Sequence, residues 1–224
     1  MSSGQTVITE IYARLLSHYG PRNWWPAESR LEVIIGAILT QAVAWKNVEK
    51  AINNLKAKEL LTYHRLLQVP EEDLAALIKP ALYHRQKARK IKTMLNYLEN
   101  EFQGNLDLMF ETPWLDLRQQ LLGLWGIGSE TADSILLYAG DKPVFVVDAY
   151  TRRIFSRLGM VEENISYGQM QDFMHENVDA DVYIYNEFHA LLVALGAECC
   201  GKKRTQCLIC PLNSLCKQYP YLQE

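Results

Sequence analysis

One stretch constrains this chain before any other. Val33-Ile34-Ile35-Gly36-Ala37-Ile38-Leu39 is apolar on every side and lies inside a longer helical pattern over about 27–41. A helix with no polar face must be wrapped by other elements. The segments available to wrap it also carry helical periodicity: Phe188, Leu191, Leu192 and Leu195 recur at i, i+3, i+4 and i+7, and Ala88, Ile91, Leu95 and Leu98 form a comparable stripe. With only 12 Gly and 8 Pro in 224 residues, few turns interrupt these patterns. The chain is predicted to be all-α, with the 27–41 helix central and Pro26 and Ala27 supplying its start. Further helices are expected near 5–18, 45–56, 71–79, 83–101, 114–122, 129–139, 149–158, 167–177 and 182–199. Residues 144–147, Val-Phe-Val-Val, are the one strong β-like run; ending at Asp148, they suit a strand or a buried extended connector equally.

A chain of this length buries a substantial core without staples, and no stretch approaches eighteen uninterrupted apolar residues, so a membrane span is not expected. The start, Met-Ser-Ser-Gly-Gln-Thr-Val-Ile, has no basic segment leading into an apolar run, so a cytoplasmic, reducing location is expected. Net charge is −3 and the pI about 6.0, which argues against coating nucleic acid by bulk charge. Two local stripes remain: Lys79, Arg85, Lys87, Arg89, Lys90 and Lys92 without an intervening acid, and Lys202, Lys203, Arg204 and Lys217 near the C-terminus. Each suits a solvated face or a nucleic-acid footprint.

The sharpest motif is Leu124-Trp125-Gly126-Ile127-Gly128-Ser129-Glu130-Thr131-Ala132, between two amphipathic helices. Two glycines so placed allow a tight turn that presents backbone N–H groups beside a helix N-terminus, where a phosphate oxygen can bind; a plain helix–helix turn has the same spelling. Four cysteines follow as Cys200-x6-Cys207-x2-Cys210-x5-Cys216. Four thiolates on a seventeen-residue loop suit an iron–sulfur cubane. Four-cysteine zinc is the alternative, although only Cys207 and Cys210 form the paired knuckle zinc favours. Cys199 is left over as a bystander.

The order of these parts, glycine hairpin, apolar run, Asp148 twenty residues after Gly128, then the cysteines, resembles the helix-hairpin-helix DNA glycosylases of the endonuclease III superfamily over nearly the whole chain. The resemblance implies a two-lobed fold, with residues 25–140 as a central bundle and 1–24 plus 141–224 as a second lobe carrying a cluster loop at 200–216. It implies an active site in the cleft between the lobes, a 4Fe-4S cluster on Cys200, Cys207, Cys210 and Cys216, and duplex DNA containing a damaged base as partner, bound by a monomer with no membrane involved. Asp148, in Val-Val-Asp-Ala-Tyr-Thr-Arg-Arg, matches the family's aspartate, and Gln41 the residue that fills the gap left by an extruded base. Gly126, Gly128, Thr131, Arg152 and Arg153 are the expected DNA contacts.

Where bifunctional members carry a lysine after the hairpin, this chain has Glu130. A carboxylate forms no imine, so a monofunctional glycosylase is expected, with Asp148 stabilising positive charge on the sugar and activating water; capping of the helix from Ala149 is its structural role. A lone carboxylate works best on a leaving group that is already cationic, such as 3-methyladenine. Trp24, Trp25 and Trp45, with Pro26 beside them, supply flat aromatic faces for such a base, or pack in the core. The segment from Trp24-Trp25-Pro26 through Leu39-Thr40-Gln41, together with Gly128 to Leu136, resembles the 3-methyladenine DNA glycosylase III branch. The alternatives are a glycosylase for oxidised or mismatched bases with weak lyase activity, and a non-enzymatic iron–sulfur DNA-binding protein. His175 and His189 are expected to be structural.

Overall fold

The computed structural model describes residues 3–219. Among these the architecture is all-α: α1 (Ser3–Tyr19), α2 (Arg30–Leu39), α3 (Trp45–Ala57), α4 (Tyr63–Gln68), α5 (Glu71–Leu77), α6 (His84–Phe102), α7 (Leu106–Glu111), α8 (Trp114–Leu122), α9 (Ser129–Ser134), α10 (Ala149–Leu158), α11 (Tyr167–Asn177) and α12 (Val182–Glu198). The chain divides into two units, one of Trp25–Lys142 and the other of the chain up to Trp24 with the chain from Pro143 on.

In the first unit α2 is central, with every residue from Leu31 to Leu39 buried, and α3, α6, α9 and the turn after α9 pack around it. It begins later than its apolar pattern suggested. Ser29, not Pro26 or Ala27, is the N-cap, its hydroxyl accepting the Glu32 N–H at 3.2 Å, while the Glu32 carboxylate reaches back to the Glu28 N–H at 3.1 Å. A side-chain cap on the Glu32 N–H, with the residue before the cap tied to the Glu32 carboxylate, is stronger start chemistry than a proline. Gly36 lets the Trp25 indole lie on the helix, since a Cβ there would stand 2.9 Å from Trp25 Cζ2.

The expected helix over 129–139 is α9 followed by a wider π-helical turn, Ile135–Ala139. Helices α4 and α7 have no counterpart in the periodicity, being six residues each, too short to repeat an apolar stripe. The basic stripe along α6 is only partly solvated. Lys87 is buried, and its Nζ donates to Leu39 O at 2.8 Å and Ala81 O at 2.6 Å. Lys92 donates to Leu66 O and Leu67 O at 2.7 and 2.9 Å. Both act as internal caps, leaving Lys79, Arg85 and Arg89 outward.

In the second unit α1 and α10 pack against α12, with Ile8, Ile11, Leu15, Phe155, Phe188 and Leu192 in the core. Residues 144–147 form a buried extended connector. Side chains satisfy its backbone: Phe145 N–H donates to His175 Nε2 at 2.9 Å, Gln171 Nε2 donates to Phe145 O at 2.7 Å, and Val147 N–H reaches Tyr167 Oη at 3.4 Å. His175, stacked on Tyr185, is structural. The connector delivers Asp148 to the start of α10.

Candidate active site and DNA-contact elements

The hairpin turns between α8 and α9. Gly126 has φ +82°, the left-handed region, and a Cβ there would stand 2.6 Å from Lys90 Cε; only glycine fits without displacing that lysine. Gly128 has ordinary extended backbone at the N-cap of α9, and nothing lies within 4 Å of a Cβ built on it. The second glycine thus leaves an open approach to the backbone rather than making the turn. A bidentate ion pair, Arg118 Nε and Nη2 to Asp133 Oδ1 and Oδ2 at 2.6 and 3.0 Å, ties α8 to α9; Asp133 is fully buried.

Gln41, at the end of the α2 segment, is held by this hairpin. Its Nε2 donates to Gly126 O at 3.1 Å and Thr131 Oγ1 at 2.9 Å, and its Oε1 accepts from Lys90 Nζ at 2.5 Å. Thr131, expected to contact DNA, is buried and braces Gln41 from within. Desolvation lowers the Lys90 amine. Burial first, and the Lys90 charge second, bring the Lys87 amine down to about 8. Because Lys87 bonds the carbonyls of both Leu39 and Ala81, it ties the Gln41 segment to the turn at Leu82 and Tyr83.

Tyr83-His84-Arg85-Gln86-Lys87-Ala88 resembles the superfamily's Tyr/Arg/Lys-rich helix start, but the backbone of the turn before it is not legible in the sequence. Leu82 and Tyr83 are 52% and 65% exposed and are two successive non-glycine residues with positive φ, +53° and +43°, Tyr83 in the left-handed α region and Leu82 extended in ψ. Each costs on the order of 1 kcal/mol, and such strain gathers at working sites. Hydropathy alone does not mark them. Trp125, 47% exposed, lies in the hairpin with the Arg89 guanidinium 4.4 Å from its ring centroid.

The expected base-pocket residues come together in part. Trp25 and Trp45 meet edge to face at 5.3 Å, and Trp25 also contacts Tyr138. With Pro26 they line a cavity of about 140 Å³ shared with Glu32, Glu49 and Lys56, small beside a usual ligand site. Trp24 belongs to the other unit, next to Arg22 and Asn23, whose N–H groups both donate to the buried Glu187 carboxylate at 2.6 Å.

In that unit Asp148 caps α10. Its Oδ1 accepts from Thr151 N–H at 2.7 Å and Thr151 Oγ1 at 2.9 Å, while Oδ2 stands 3.8 Å from His189 Nε2. Capping and availability for chemistry therefore coexist, one oxygen for each. Burial lowers the His189 imidazole below its ordinary range, opposed by the Asp148 carboxylate, which favours the neutral ring. Arg152 is half-buried. Arg153 is taken up internally, donating to Cys200 O at 2.8 Å and Gly196 O at 3.1 Å, because α10 runs beside the end of α12.

The cysteines lie on the loop after α12, where Cys207–Ile209 and Asn213–Leu215 form single 3-10 turns. Arg157 Nη1 donates to Cys200 Sγ at 3.2 Å and Gly201 O at 2.9 Å. Backbone N–H groups of Leu212 and of Gln218 and Tyr219 are directed at Cys210 and Cys216. Burial above all, then the neighbouring thiols, pushes Cys210 up to about 11 and raises Cys216. Among the described residues no group of three or more His, Cys, Asp or Glu is arranged to hold a metal ion. Four cysteines thus share this loop, with a guanidinium beside Cys200 and backbone N–H groups beside Cys210 and Cys216, a chemistry compatible with a thiolate-held cluster. Cys199 is buried and accepts from Tyr19 Oη at 3.6 Å.

Residues 35–180 match the family described as HhH-GPD superfamily base excision DNA repair protein. This chain belongs to that superfamily. A candidate DNA repair glycosylase of Methanocaldococcus jannaschii is 47% identical over 94% of this chain and 96% of its own length. Among solved structures, H. pylori 3-methyladenine DNA glycosylase bound to 1,N6-ethenoadenine is 26% identical, with a TM-score of 0.74 over 86% of this chain and 96% of that one. A trapped endonuclease III–DNA covalent intermediate is 21% identical, with a TM-score of 0.84 over 98% and 99%; at that identity the likeness speaks for the fold. This HhH-GPD protein is a DNA glycosylase of base excision repair. Glu130 lies exposed in the first turn of α9. No described helix is long and apolar enough to cross a membrane.

Proposed function

We propose that this HhH-GPD glycosylase is monofunctional, hydrolysing the N-glycosidic bond of an alkylated purine of the 3-methyladenine type and leaving the abasic site intact. The observation that carries the reading is the pairing of Glu130 at the hairpin with an Asp148 that keeps one carboxylate oxygen outside its capping bonds. Without a lysine at the hairpin position the imine route lacks its nucleophile. Asp148 Oδ2 then stabilises the developing oxocarbenium charge and takes a proton from the attacking water. A cationic base leaves without a strong general acid, which suits a site built on one carboxylate. The aromatic faces of Trp25 and Trp45 with Pro26 would hold it. The likeness to the H. pylori 3-methyladenine glycosylase supports this substrate class.

DNA binding in this reading uses backbone N–H groups of the Gly126–Gly128 turn and Arg152 on phosphates. Gln41, already set by Lys90, Gly126 and Thr131, would occupy the space of the extruded base. Cys200, Cys207, Cys210 and Cys216 would hold a 4Fe-4S cluster, which when bound draws the thiolates together and stiffens the exposed Lys202-Lys203-Arg204 loop beside the DNA. Visible absorbance with iron and zinc analysis distinguishes it from zinc.

The test is a base-release assay on a panel of lesions in duplex DNA. Free methylated purine is expected, with no strand break until alkali is added, and Asp148→Asn is expected to abolish release while remaining folded. A covalent adduct trapped by borohydride would overturn the mechanism. Release of oxidised bases alone would overturn the substrate class, and DNA binding without turnover on any lesion would overturn the enzymatic reading.

A further inference from the structure

The surroundings of Asp148 contain a second group that nothing in the motif requires. Helix α12 packs against α10 and brings His189 Nε2 to 3.8 Å from Asp148 Oδ2, the oxygen left over when Thr151 has taken Oδ1. The two side chains are 10% and 12% exposed and Nε2 itself is buried, so the pair is sheltered from bulk solvent. A separation of 3.8 Å is too long for a direct hydrogen bond. It suits a shared water: an oxygen about 2.8 Å from each atom would see them at an angle of roughly 85°, near the spread of a water's two O–H bonds.

We propose that His189 is the second anchor of the attacking water, its Nε2 accepting one O–H while Asp148 Oδ2 accepts the other. This rests on the reading of water as nucleophile. With both protons directed at the protein, the water's lone pairs face away from the pair, toward the position of the sugar. On attack the water oxygen bonds to C1', and the C1'–N bond breaks with its electron pair going to the departing base. One proton passes to Asp148 Oδ2, the second stays on the new hydroxyl against His189, and Asp148 returns its proton to solvent. The neutral imidazole that burial favours is the form that can accept. His189 acts here by positioning water, and Asp148 remains the group that takes the proton.

The experiment compares His189→Phe, which keeps a ring but no acceptor, with His189→Gln, which restores an acceptor oxygen near the same place. Single-turnover release from methylated duplex is measured beside affinity for a duplex carrying a tetrahydrofuran abasic analogue, the melting temperature, and the partition between water and added methanol at C1'. His189→Phe is expected to release base about 100-fold more slowly with analogue affinity and melting unchanged, and to lose selectivity for water over methanol. His189→Gln is expected to recover most of the rate. Equal rates in Phe and wild type, or equal losses in Phe and Gln, would overturn the inference, as would a loss that merely follows melting or affinity. If His189→Phe does not fold, His189→Gln decides alone: a near-wild-type rate and methanol partition support the anchor, and a loss of either overturns it. A dead Asp148→Asn beside a fully active His189→Phe would remove this inference and leave the proposed function standing. A borohydride-trapped adduct in the wild type would remove that function itself.

Discussion

Glu187 offers the most direct test of how the molecule holds the segment leading into Trp24. Its side chain is buried and its two oxygens accept the N–H groups of Arg22 and Asn23, each at 2.6 Å, with Asn23 at φ +49°. Glu187→Gln changes almost no volume but turns one acceptor into a donor facing an N–H. One hydrogen bond to a charged group is lost, worth about 1.5–3 kcal/mol, and a backbone donor is stranded at about 1–3 kcal/mol. Arg22 and Asn23 are themselves exposed, so water can rehydrate part of the stranded group, and the expected total is about 2–4 kcal/mol. Urea unfolding at constant m would read the loss. Amide exchange would show Arg22 and Asn23 losing protection before the amides of α12 do. If Trp24 contacts the base, KM for methylated duplex rises more than kcat falls. A loss under about 1 kcal/mol with both amides still protected would refute the reasoning.

Gly126→Ala should cost about 1–2 kcal/mol for its backbone and displace Lys90 from Gln41; a double-mutant cycle with Lys90→Ala is expected to show coupling, and full additivity would deny the network. Arg157→Gln removes donors to Cys200 Sγ and Gly201 O and should lower iron content per purified chain, whereas unchanged iron would separate Arg157 from the cysteine loop. Lys87 loses its proton near pH 8 in the fold and near 10.5 when unfolded, so between these values the unfolded state binds more protons and Lys87's contribution improves as pH rises. The stability gap between wild type and Lys87→Met is therefore expected to move in favour of wild type from pH 8 to 10, and a flat difference would contradict a buried ammonium.

The central helix is legible because nine successive buried residues leave a pattern in one segment, yet it starts later than that pattern, since the Ser29 cap on Glu32 and the Glu28–Glu32 bond compete locally with proline. Residues 144–147 carried two readings that only their partners resolved: His175, Gln171 and Tyr167 supply the bonds a neighbouring strand would have made. His189 was read as structural because a histidine on an apolar helix usually is, and nothing within α12 marks the aspartate that lies opposite. In sequence Lys87 and Lys92 belong to an outward basic stripe, open to solvent or nucleic acid; a charged residue's burial depends on carbonyls it meets across the fold.

What this chain's sequence determined by itself is whatever follows from covalent spacing: helix periodicity, the glycine turn, the cysteine intervals, an aspartate at a helix start and a glutamate where an amine would be needed for imine chemistry. Tertiary structure alone decided which distant side chains meet. Gln41 is held by Lys90, Gly126 and Thr131, Glu187 by the amides of Arg22 and Asn23, and Asp148 faces His189 across forty-one positions of chain. Periodicity reports which face of a helix is apolar, because that is a property of neighbours in sequence. The partner a polar atom finds, and with it the proton it holds, is set by packing among segments that share no local pattern.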